Sequence, residues 1–125
     1  MPVSSIQEIL PKYRREAAAN SYEHAAVLVF LLGAPWITND DEKFLSNITE
    51  SGAIYWQDVL DENWSRTEEA LITAAASLFK SGGFEFSLGD VVARFDTEQT
   101  QLLLDMIVAR KTGQLPEDFR AEEAV

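Results

Sequence analysis

Apolar residues recur along this chain at helical intervals, and polar residues fall between them where helices should start and stop. Leu88, Val91, Val92 and Phe95 follow i, i+3, i+4, i+7 over two turns, one face of a helix. Trp56, Val59, Leu60 and Trp64, at i, i+3, i+4, i+8, form a second stripe. Leu71, Ile72, Ala74, Ala75, Ala76, Leu78 and Phe79 form a broad, alanine-rich third face. Two runs, 27–32 and 102–108, are apolar on nearly every side. Periodicity alone would allow buried strands there, but their length and flanking caps favour helix. The second is interrupted only by Asp105 and is expected to be the central helix. Leu28, Phe30, Leu31, Leu71, Phe79, Leu103 and Ile107 are the expected core.

The polar residues punctuate these segments. Ser5 caps a helix beginning at Ile6, which Pro11 ends or kinks, because proline lacks the N–H and clashes with the preceding turn. Asn20-Ser21 reads as a break or second cap. Gly33 followed by Pro35 is a helix stop. Thr38, with Asp41 three residues on, opens the next helix and places Asp40, Asp41 and Glu42 in its first turn; Gly52 ends it. Ser65-x-x-Glu68 is a strict capping box, and Gly82-Gly83 stops the helix that follows. Ser87 caps again. Asp96, with Gln99 at the third position, caps the last long helix, which Arg110, Lys111 and Gly113 finish. Phe84-Glu85-Phe86 is a short extended link, and no strand partner for it is visible.

The reading is therefore all-α: one compact bundle of six or seven helices over residues 1–115, without substantial sheet. A charged tail over 116–125 is expected to be a short helix or disordered. The 125 residues are 46% hydrophobic and 25% charged, a globular composition with enough chain for one core.

Charge narrows the function. Twenty-one acids against ten bases give a net charge of −11. A nucleic-acid binder must replace counterions on phosphates with its own cations, and an anionic membrane selects for the same feature, so neither is an expected partner. Nine acids against Lys43 and Arg66 give residues 37–70 a net −7, whereas 1–20, 21–36 and 71–112 are each within one unit of neutral. The helix pair from Ser87 to Gly113 carries Glu98 and Asp105 where a DNA-reading helix would carry cations. The N-terminus has no basic or apolar signal region, and no apolar run approaches the roughly 20 residues of a membrane span. A cytoplasmic location is expected. Asn47-Ile48-Thr49 is then a chance match to a glycosylation triplet.

Candidate chemistry is sparse. With no cysteine and one histidine, disulfides, thiolate sites and paired-histidine metal sites are excluded. His24 reads as a hydrogen-bonded structural side chain. Asp58, Asp61 and Glu62 would share a helix face able to offer Mg²⁺ two oxygens, which leaves a metal-dependent hydrolase as a rival reading. No Gly-rich loop, nucleophile elbow or zinc-binding helix accompanies them, so no enzyme, cofactor or metal site is expected. Trp56 and Trp64 bracket those acids, with Tyr55 adjoining, and Trp36 follows Pro35. Tryptophans at helical spacing are core residues first; aromatics among acids can also cage a cation or anchor an interface.

These features give a small acidic helical interaction module, an inhibitor, immunity or antitoxin-type protein whose partner carries a basic patch. Its candidate binding residues are Asp40, Asp41, Glu42, Tyr55, Trp56, Asp58, Asp61, Glu62 and Trp64. A homo-oligomeric structural protein of bacterial or phage origin is the remaining alternative.

Overall fold

A computed structural model describes residues 3–80 and 83–120. Seven α-helices are found among them: α1 (Leu10–Ala18), α2 (Tyr22–Gly33), α3 (Pro35–Thr38), α4 (Trp56–Leu60), α5 (Arg66–Lys80), α6 (Leu88–Arg94) and α7 (Thr97–Thr112). Among the described residues, pairing of extended backbone is limited to one antiparallel bridge, Ile48 to Ile54. Among the described residues no helix is long and apolar enough to cross a membrane.

The central helix is α2, not α7. Every residue from Ala25 to Leu31 is buried, because α1, α5 and α7 pack around it. On α7 the 3.6-residue period selects one inward face, Leu102, Leu103, Met106 and Ala109. Leu104, Ile107 and Val108 lie on the other side and are exposed, so Ile107 leaves the expected core. Leu28, Phe30, Leu31, Leu71 and Leu103 are buried, and Phe79 packs against them half-buried. Val91 on α6 and Phe95 just after it turn inward, but Leu88 and Val92 face solvent.

Two glycines set the α2–α7 contact. Gly33 is the last residue of α2, and a Cβ there would collide with the Leu102 side chain on α7. Gly113, at the far end of α7, adopts φ +78° against the Tyr22 ring at the start of α2. The two helices therefore run antiparallel. Arg110 Nε donates to the Leu78 carbonyl at 2.9 Å and ties α7 to α5.

Several caps form as the sequence implies. Ser5 and Glu8 make a reciprocal box, but over a 3₁₀ turn, Ile6–Glu8; Pro11 then sits within the first turn of α1, where its missing N–H costs nothing. Asn20 takes φ +69° between α1 and α2. Ser65 with Glu68, and Asp96 with Gln99, close both arms of their boxes. Gly83 has φ +82°, while Gly82 lies outside the described residues. At the C-terminal end, Glu117–Phe119 forms a 3₁₀ turn and Phe119 packs on the core. Its carbonyl accepts from Arg14 Nη1 at 2.9 Å. Residues 121–125 of the expected tail lie outside the described residues.

The largest departure from periodicity lies between α3 and α5. The helix expected from Thr38 does not form. Thr38 instead ends α3 and is fully buried, its Oγ1 3.0 Å and 3.2 Å from the carbonyl oxygens of Leu31 and Ala34. Residues 39–65 form an irregular lobe, with a 3₁₀ turn at Leu45–Asn47, the Ile48–Ile54 bridge and the short α4. Gly52, at φ +90°, turns the bridged segment rather than ending a helix. The lobe tip is held to α1: Tyr13 Oη donates to the Gly52 carbonyl at 2.8 Å and Lys12 Nζ to the Ser51 carbonyl at 2.7 Å. Burial of the Tyr13 hydroxyl pushes its pKa above the ordinary range.

Candidate interaction face

The lobe is stitched together by polar side chains bonding to backbone. Asp40 Oδ1 accepts from the N–H groups of Glu42 and Lys43 at 3.1 and 3.0 Å, which turns the chain where helix was expected. Asn47 Nδ2 donates to the Lys43 carbonyl at 3.0 Å and to Glu62 Oε2 at 3.2 Å, joining the first and last turns of the lobe. The Asn47 carbonyl accepts the Tyr55 N–H at 3.0 Å.

The candidate residues separate into those facing solvent and those facing the core. Asp41, Glu42, Asp58 and Asp61 are exposed; Asp40 and Glu62 are partly buried. Trp56 is 4% exposed and belongs to the core, with its ring 6.2 Å from Phe30 and 6.4 Å from Phe79, centroid to centroid. Tyr55, its neighbour, is 56% exposed and sits between two shallow clefts. One is lined by Asn47, Thr49 and Asp58. The other is lined by Ile54, Gln57, Phe84 and Lys80 from α5.

Trp64 does not continue the α4 stripe. The helix ends at Leu60, and Asp61 caps it while accepting from Gln57 Nε2 at 3.0 Å. The chain must leave α4 to reach the Ser65 cap of α5. In doing so it folds Trp64 back, and its indole N–H donates to the Val59 carbonyl at 2.7 Å. Asp58, Asp61 and Glu62 consequently do not share one helix face. Among the described residues no group of three or more His, Asp or Glu side chains is placed to hold a metal ion.

Lys43 explains how the lobe comes to present acids outward. Its ammonium lies 4.5 Å from the centroid of the Trp64 ring, donates to the Asn63 carbonyl at 2.9 Å and stands 3.9 Å from Asp40 Oδ2. The lobe's cation is thus folded onto the lobe itself. Arg66, the other base of the acidic segment, lines a separate cleft between α5 and α6 with Glu69, Glu85 and Asp90.

His24 lies on α2, outside the lobe itself. Its Nδ1 is 2.6 Å from the Ser21 Oγ, joining the N-cap and the third residue of α2. The ring is flanked by Tyr13 at 5.1 Å and Phe79 at 5.2 Å. Desolvation lowers its pKa; Glu16 and Glu23 pull the other way, and Lys12 reinforces the lowering. Set against models of protein families, curated proteins and solved structures, the chain matches none.

Proposed function

We propose that this chain is a protein-interaction module whose acidic lobe docks on a basic surface of a partner protein, in the manner of an inhibitor, immunity protein or antitoxin. The observation that supports the reading is the placement of Lys43. With its ammonium held by Trp64, Asn63 and Asp40, Lys43 leaves Asp41, Glu42, Asp58 and Asp61 exposed on the lobe; Asp58 lines both clefts beside Tyr55, and Lys80 of α5 lines one of them. Such a face steers a cationic partner by long-range attraction, screened over about 8 Å at physiological ionic strength. Tyr55 supplies what charge cannot: a rigid aromatic anchor with a polar tip, flanked by clefts that a partner side chain can fill. Its neighbour Trp56, locked in the core, fixes the backbone on which the anchor stands.

A photo-crosslinking residue in place of Tyr55 tests this in lysate of the cells that express the protein, with exposed Ala19, just past the end of α1, as the control position. The expected adduct forms at Tyr55 and not at Ala19, contains a protein with a basic patch and diminishes as salt rises. It also diminishes when Asp41→Asn, Glu42→Gln, Asp58→Asn and Asp61→Asn are combined. An acidic partner, or an adduct indifferent to salt and to those substitutions, would leave the acids as no more than a solubility device.

A further inference from the structure

A second aromatic ring on the surface lies outside the lobe. Trp36, the second residue of α3, is 46% exposed and lines a cleft of about 350 Å³. Gly33 and Leu102, the pair that sets the α2–α7 crossing, contribute its apolar lining, and Asp96, Glu98 and Gln99 from the start of α7 complete it. No basic residue lines this cleft among the described residues.

The protein shows elsewhere what such a combination holds. At Trp64 an indole and a carboxylate, Asp40, flank the ammonium of Lys43. A cation over an indole face is drawn to the negative side of the ring quadrupole, and a nearby carboxylate adds direct attraction. The Trp36 cleft has an indole and two carboxylates, and the chain supplies no cation from among the residues that line it. The positive end of α7 does not reverse this balance. Asp96 answers it by accepting the Gln99 N–H at 2.7 Å, and Glu98 adds a further negative charge.

We infer that the Trp36 cleft receives a cationic side chain, arginine or lysine, from a partner protein. Arginine suits it best, because a guanidinium can stack on the indole while its edge bonds a carboxylate. The inference does not depend on the acidic lobe. A partner can use the cleft whether or not it also meets Tyr55, and the cleft can be tested with no partner in hand.

The test is titration of the nitrogen-15-labelled protein with N-acetyl-arginine amide, at constant ionic strength, following the three indole N–H signals and the Gln99 amide. N-acetyl-citrulline amide is the uncharged control of nearly the same shape. The expected result is a saturable shift of the Trp36 and Gln99 signals, with Trp56 and Trp64 unmoved, since one is buried and the other already carries Lys43. The citrulline derivative should bind at least about tenfold more weakly, the loss expected when the charge is removed. Glu98→Gln, an exposed change that leaves the Asp96 cap intact, should weaken binding several-fold, and Trp36→Leu should abolish the Gln99 shift. Equal response to the two probes, or full response in both variants, overturns the inference.

Discussion

Truncating Trp56 to alanine tests the division between core and surface at its sharpest point, because the adjacent Tyr55 provides an internal comparison. The Trp56 indole is 4% exposed and packs between Phe30 and Phe79. Those two rings are fixed by their own neighbours, Phe44 and His24, with centroids 6.0 and 5.2 Å away, so the surroundings have little freedom to collapse. Removing a buried Trp or Phe side chain costs about 3–5 kcal/mol, a range that already includes the loss of its ring–ring contacts. A loss of about 4 kcal/mol is therefore expected, which for a domain of this size lowers Tm by about 10–20 °C. Trp56→Phe should retain part of the stability by keeping one ring in place. Tyr55→Ala should change stability by less than about 0.5 kcal/mol, as is usual for exposed positions. Thermal melts followed by far-ultraviolet circular dichroism, supported by urea titration, measure all three. If Trp56→Ala melts within a few degrees of the parent protein while Tyr55→Ala does not, the assignment of core and surface at α4 is inverted.

Two further expectations follow from local geometry. Gly113→Ala should cost more than Gly83→Ala, because both impose a left-handed conformation worth about 1–2 kcal/mol but only Gly113 faces a ring, that of Tyr22; equal losses by urea titration would mean that the α7–Tyr22 contact is slack. His24 is held below its ordinary pKa of 6.5, so the unfolded chain takes up its proton first as pH falls. The contribution is intact above pH 6.5, declines as pH drops toward the lower folded value and is then flat; His24→Phe should flatten that part of the stability profile, and an unchanged slope between pH 5 and 7 would refute the assignment.

The parts of this fold that were legible in the sequence are those where a local rule has a local cause. The Ser65–Glu68 and Asp96–Gln99 boxes are closed within four residues and can be read wherever they occur. The lobe from 39 to 65 was opaque because its backbone is satisfied by Asp40, Asn47 and Thr49, whose bonds leave no period in the pattern of apolar residues. The ranking of α2 and α7 also depends on neighbours: both runs are apolar, and only the packing of α1, α5 and α7 around α2 shows which is enclosed. At the candidate face, the excess of acids was visible as charge. The inward turn of Lys43 onto Trp64, and the meeting of Trp36 with Glu98, join residues 21 and 62 positions apart, beyond the reach of any local signal.

The pairing of α2 with α7 has a consequence for how the chain reaches its fold. About sixty residues separate the end of one helix from the start of the other. During synthesis α2 leaves the ribosome as an uninterrupted apolar segment long before the helix that covers one of its sides exists. Helices α1 and α5 can shield two flanks earlier, but the third stays open until Met106 and Ala109 have emerged. The nascent chain thus passes through a stage with a greasy groove along its longest buried element, where chaperone binding or aggregation competes with completion. Closure of that groove by α7 is a long-range step that must overcome the entropy of closing the intervening loop.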